Sequence, residues 1–216
     1  MPVITAITAH VKKPGRFEVF VDGQPEGAVS VEAIERLRLG VGVAFDPVRP
    51  AFAAELALVA TWDRATRLLA ARARSRAELR RQLLLKGEAA GPVDAALDRL
   101  ERAGYLDDAD YARQFARSKA LGRGMSRRRV QQELAKRGIS RELAEAALAD
   151  VFADEGVGEG EAVARLARKK LRSLIRLDAP TRRRRLYAFL ARRGFEHDDI
   201  SRVLRDLGED GVEPTD

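Results

Sequence analysis

The side chains best equipped for chemistry in this chain are arginines, and they come in runs. Arg127, Arg128 and Arg129 are consecutive within SRRRVQQELAKRGIS, and Arg182, Arg183, Arg184 and Arg185 within TRRRRLYAFLARRG. A guanidinium carries five N–H donors in a fixed fork and keeps its proton at neutral pH, so it binds phosphates and carboxylates and does not shuttle protons. Consecutive helical residues stand about 100° apart, so neither run forms a single solvent stripe. Both runs also fall near an expected helix start, where positive charge opposes the helix dipole. Contact with phosphate or with an acidic surface is therefore the leading reading, and an ordinary solvated face is the second. Arg123, Lys136, Arg137, Lys169, Lys170, Arg172, Arg176, Arg192 and Arg193 extend the same basic set.

Catalysis finds little to work with. The chain has no cysteine, and its two histidines, His10 and His197, lie in different regions. GVGEG at 156–160 lacks the Gly-Lys-Ser/Thr ending of a phosphate loop. Asp107, Asp108 and Asp110 lack the spacing, glycine and closing glutamate of a calcium loop, and read instead as caps for the helix that follows. His197-Asp198-Asp199 reads as another helix start. No catalytic residue, metal ligand or cofactor is expected, and the chain is read as non-enzymatic.

The elements that must position the arginines repeat. Residues 64–86 hold eight basic residues and one acid, and 87–112 hold seven acids and two bases. The same alternation recurs at 113–141 against 142–164, and at 165–193 against 194–216. Counting back from Gly87, Gly138 and Gly194, the residue four before is Leu83, Leu134 or Leu190, and eight before is Leu79, Val130 or Leu186. Positions four apart share a helix face, so each copy predicts a short basic helix with a buried apolar stripe, closed by glycine. Ser75 and Ser126 stand at the N-cap positions; the third copy has Arg182 there, with Thr181 one residue earlier. An amphipathic helix precedes each basic one, marked by Trp62, Ala65, Leu68 and Leu69, then Tyr111 and Phe115, then Val163, Leu166 and Ala167. An acidic helix follows each, with Val93, Leu97 and Leu100, then Leu143, Ala147 and Val151, then Ile200, Val203 and Leu207. Tyr105, Leu106, Tyr111 and Phe115 are expected in the core at a module junction. Three-helix units this small bury little surface alone, so they are expected to stack.

The first residues differ. Val3 to Val11 is rich in β-formers, FEVFVD alternates, Asp22-Gly23 offers a turn, and Ser30 can cap a short helix. The expected fold class is mainly α: an elongated array of three three-helix modules preceded by a small β-rich N-terminal segment. The expected divisions are 1–48 for that segment, 49–107 for a connecting helix and the first module, 108–155 and 156–208 for the second and third, and 209–216 for an acidic tail. Lys and Arg total 40 against 33 Asp and Glu, which favours polyanionic partners without choosing among them. No apolar run approaches a membrane span and no signal-peptide pattern opens the chain, so a cytoplasmic protein with no membrane partner is expected.

RARSRAELRRQLLLKG, LERAGYLDDADYARQFARSKALGRG and SRRRVQQELAKRGIS together resemble the RecX proteins, bacterial regulators of the RecA recombinase. The resemblance spans about Ala51 to Leu207 and is densest from Ser75 to Ile139. It implies a protein of homologous recombination, DNA repair and the SOS response that binds the RecA filament and limits its strand exchange and ATP hydrolysis. It also implies direct contact with single- and double-stranded DNA. The sixteen basic residues named above are then the candidate nucleic-acid or filament contacts. Without a heptad to supply a dimer, a monomer is expected. Gln131 and Gln132 have no counterparts in the other copies, which argues for phosphate contact over base reading. General DNA binding or transcriptional regulation is the alternative.

Overall fold

The computed structural model describes residues 1–156 and 158–208, so the acidic tail expected at 209–216 lies outside the described residues. The chain divides into two compact units, 1–106 and 107–216.

The first unit opens with an antiparallel meander, β1 (Ile4–Ala9), β2 (Arg16–Val21) and β3 (Gln24–Ser30), in the order β1-β2-β3. Val21 pairs with Gln24 across a two-residue turn, and Asp22 and Gly23 both take positive φ there, the geometry that suits the twist of a tight hairpin. Ser30 caps α1 (Val31–Arg36) by accepting from the Ala33 amide. The long helix α2 (Arg49–Ala71) then serves two cores. Phe52, near its start, packs with Ile4, Val19, Val29 and Phe45 of the β-rich segment. Ala65, near its end, packs with α3 (Arg76–Leu85) and α4 (Ala90–Arg102) through Leu79, Leu83, Val93, Leu97 and Leu100. The connecting helix and the first helix of module one are thus a single element. Arg16 and Lys13 reach Asp63 of α2 at 2.5 and 3.3 Å, and Arg36 reaches the buried Glu55 at 2.5 Å, tying the β-rich segment to that helix.

The second unit holds two modules. One comprises α5 (Asp108–Ala116), a π-helical turn (Arg117–Gly122), α6 (Arg127–Ala135) and α7 (Arg141–Asp154). The other comprises α8 (Glu159–Arg172), α9 (Ala179–Ala191) and α10 (His197–Asp206). The stripe pairs Leu79/Leu83, Val130/Leu134 and Leu186/Leu190 are all fully buried, and Gly87, Gly138 and Gly194 all take positive φ where their helices close. Ser75, Ser126 and Asp107 cap as their positions predict.

Three details depart from expectation. The third basic helix is capped by Asp178, whose carboxylate accepts from the Thr181 amide at 3.0 Å, so the cap stands four residues before Arg182. Pro180 fits that first turn because no intrahelical N–H is needed there. The longer spacing before the third copy reads in the sequence as extra linker at 156–160, but Gly160 lies inside α8. Tyr105 is 65% exposed, its ring roughly perpendicular to that of Trp62, whereas its neighbour Leu106 is buried as a core residue.

Candidate nucleic-acid interface

The second unit is organised around the contact between α6 and the end of α9. The Ser126 amide donates to the Arg193 carbonyl at 3.0 Å, and its hydroxyl donates to the Gly194 carbonyl at 2.7 Å. That hydroxyl also accepts from the Arg129 amide, capping α6. The negative end of one helix dipole therefore meets the positive end of another, which offsets the cost of the arginines in the first turn of α6. The approach is close. A Cβ on Gly194 would lie 2.6 Å from the Arg129 Cβ, and one on Gly124 would lie 2.6 Å from a Leu166 methyl.

Beside this contact the two modules leave a cleft of about 960 Å³. Its cations are Arg123, from the loop after the π-helical turn; Arg165, Lys169 and Lys170, from α8; and Arg192 and Arg193, from the end of α9. Among the described residues no carboxylate lines it and none of the six is in an ion pair. Ala120, Leu121, Met125, Ala162, Leu166 and Phe189 supply an apolar floor. Arg193 is held rigidly there: its guanidinium lies over the Phe189 ring at 3.7 Å, and its Nε donates to the Arg123 carbonyl at 3.2 Å. Burial, and then the charge of Arg192, pushes that guanidinium below its ordinary pKa, though an arginine stays charged at any physiological pH. Lys170 sits 5.6 Å from the same ring. The π-helical turn, with the Arg123 amide donating to the Ser118 carbonyl, widens the chain where it forms one wall; such turns often mark functional sites.

The structure thus brings Arg123, Lys169, Lys170, Arg192 and Arg193 together and spreads the other candidates around them. Arg128 and Arg129 border a smaller depression of about 460 Å³ with Gln132, Phe195, Glu196 and His197, and Arg128 pairs with Glu196. Arg127 is half-buried over Phe152 at 4.7 Å. Arg129, Lys136 and Arg137 gather on Glu133 at 3.4, 3.8 and 3.1 Å, and Arg137 also covers Phe115. The Arg137 hydrogen bond is the main cause holding the Glu133 carboxyl below its usual range, against the opposing effect of partial burial. Arg172 lies on a groove with Arg165, Arg168 and Ile175, and Arg176 is exposed in the turn after α8. On α9, Arg182 donates to the Leu177 carbonyl at 3.2 Å, Arg183 is half-buried, and Arg184 and Arg185 are exposed.

Arg165 is not among the sixteen basic residues singled out from the sequence. The signal that finds it is its spacing: it lies four residues before Lys169, so the two share a face of α8. In the first module the arginines have another fate. Arg76 bonds Asp98 and Glu101 of the following acidic helix, each at 2.7 Å, and Arg80 bonds Asp94 at 2.7 Å.

Among the described residues no metal-binding cluster of His, Asp and Glu occurs, and no helix is long and apolar enough to cross a membrane. The family models of the first, second and third three-helix domains of RecX match residues 62–100, 107–148 and 159–204. The chain is 36% identical over 149 residues to the regulatory protein RecX of Amycolatopsis mediterranei, covering 68% of this chain and 83% of the relative. It is 35% identical over 156 residues to that of Pelodictyon phaeoclathratiforme, covering 69% and 92%. Two solved structures share the fold. A regulatory protein RecX covers 97% of this chain and 100% of its own, at a TM-score of 0.75 and 21% identity. RecX from Lactobacillus salivarius covers 70% and 97%, at 0.58 and 20%. With its three modules matched in order and relatives aligned over most of their length, this chain belongs to the RecX family of regulatory proteins.

Proposed function

We propose that this protein is a non-enzymatic regulator of homologous recombination that binds the RecA nucleoprotein filament and limits its ATP hydrolysis and strand exchange. The basic residues of its second and third modules contact DNA directly in this reading. The observation that carries it is the cleft lined by six cations, set in a chain of this family. A filament repeats its own surface, and a chain of linked modules gains from several weak contacts through effective concentration. Arg184 and Arg185, exposed on α9, extend the contact surface beyond the cleft. The protein acts as a monomer in the cytoplasm, with its working divisions near 107/108 and 155/156.

The test is the rate of ATP hydrolysis by RecA assembled on single-stranded DNA, measured as this protein is added. The rate should fall in proportion to bound protein. An unchanged rate at saturation defeats the regulator reading. Strong preference for one duplex sequence over random DNA would favour transcriptional regulation in its place.

A further inference from the structure

We propose that the cleft between the second and third modules is a seat for single-stranded nucleic acid, a few nucleotides long, and not for duplex. This rests on the phosphate-contact part of the reading above and is independent of its recombinase part. Three observations carry it.

The first is size. The two phosphate rows that flank a duplex major groove stand about 12 Å apart, whereas a compact space of 960 Å³ is about 10 Å across. The cleft therefore suits one phosphate row and not two. The second is the division of labour within the cleft. Arg165, Lys169 and Arg192 are exposed cations with no ion pair among the described residues, placed to follow a phosphate chain. Leu121, Met125 and Leu166 form an apolar floor beneath them. A free oligophosphate has no use for that floor. A strand does, because its unstacked bases present flat apolar faces beside each phosphate. The third is order already in place. Arg193 lies over the Phe189 ring and bonds the Arg123 carbonyl, so its guanidinium is oriented before a ligand arrives, which lowers the entropy lost when one binds.

The experiment compares wild type with the double variant Arg165→Gln, Lys169→Gln. Both residues are exposed, so the fold should persist, which circular dichroism checks. Binding is read by fluorescence anisotropy for a short oligothymidylate, an abasic strand of equal length and a duplex of equal length. The double variant should lose about tenfold for oligothymidylate, and its log–log salt slope should flatten by about 1.4, the value for two phosphate contacts on a single strand. Duplex affinity should change less than about threefold. Wild type should bind the abasic strand more weakly than oligothymidylate. Equal losses for strand and duplex, equal wild-type affinity for abasic and base-bearing strands, or equal displacement by inorganic tripolyphosphate at the same phosphate concentration would each overturn the proposal. Wild type that binds both nucleic acids while the variant is unaltered removes the cleft alone. Wild type that binds neither removes the phosphate-contact reading itself.

Discussion

The first module and the second unit carry the same alternation of basic and acidic helices, yet they use it differently. In the first module α3 is fastened by charge: Arg76 and Arg80 cross to Asp94, Asp98 and Glu101 on the next helix. In the second unit α6 is fastened to α9 largely without charge, through the Ser126 cap, two carbonyls and the close approach at Gly194. Cations that need not hold the fold together remain for other work, and Arg165, Lys169 and Arg192 are three of these. Alternating charge is thus two devices in one sequence pattern. Which one operates depends on whether the acidic helix faces its own basic helix within reach of a side chain.

The largest effect should come from breaking the uncharged fastening. Gly194→Ala places a Cβ 2.6 Å from the Arg129 Cβ and 2.9 Å from the Ser126 hydroxyl, at a φ that L residues disfavour. Left-handed backbone costs about 1–2 kcal/mol and overpacking about as much again, so the second unit should lose about 2–4 kcal/mol in chemical denaturation. Ser126→Ala removes the cap and the bond to the Gly194 carbonyl without adding bulk, and should lose about 1–2 kcal/mol. A loss under about 0.5 kcal/mol for Gly194→Ala would show that the junction yields freely and that the contrast with α3 is overdrawn.

A smaller effect tests the charged fastening. Asp94→Asn, Asp98→Asn and Glu101→Gln together release Arg76 and Arg80 from their partners. If pairing is what withholds α3 from phosphates, nucleic-acid affinity should rise about threefold to tenfold and the salt slope should steepen. Arg76→Gln with Arg80→Gln in the otherwise unaltered chain should leave affinity within about twofold, because those cations are already occupied. A large loss in that variant would place α3 on the binding face and erase the difference between the modules.

What the sequence made legible follows the range of each interaction. Caps and stripes are local, so Ser75, Ser126 and Asp107, and the buried Leu79, Val130 and Leu186, could be read from spacing alone. Counting back from Gly194 puts the third cap at Arg182, while Asp178 and Pro180 begin the helix a turn upstream. Tyr105 and Leu106 read alike as core residues in the sequence, but a turn points neighbouring side chains apart and only Leu106 is buried. The basic residues were legible as a set and their grouping was not. Arg123 and Arg193 are 70 residues apart in sequence, and their proximity follows from how α9 docks on the start of α6. Nor could Arg80 be told from Lys169 by sequence, since both lie in basic stretches followed by acids. The distinction is a tertiary one.

The finest test of the comparison is Glu133, the one acid within a basic stretch of nine net charges. It receives Arg129, Lys136 and Arg137, so α6 shares a little of the self-neutralisation seen in α3. The Arg137 hydrogen bond leads in depressing its folded pKa, with Lys136, Arg137 and Arg129 adding by charge. A carboxylate depressed in the folded state contributes stability that is complete above its unfolded pKa of about 4.3 and is lost as pH falls through the folded value. Glu133→Gln removes that contribution. Wild type should therefore melt higher than Glu133→Gln by a constant margin at neutral pH, and the two curves should converge on acidification below about pH 4. At neutral pH the same variant should bind oligothymidylate no more weakly than wild type, since it removes a negative charge beside three cations and removes no cation. Weaker binding would mean that Glu133 orders those side chains for contact. The acid would then belong to the interface, and α6 would differ from α3 in kind and not only in degree.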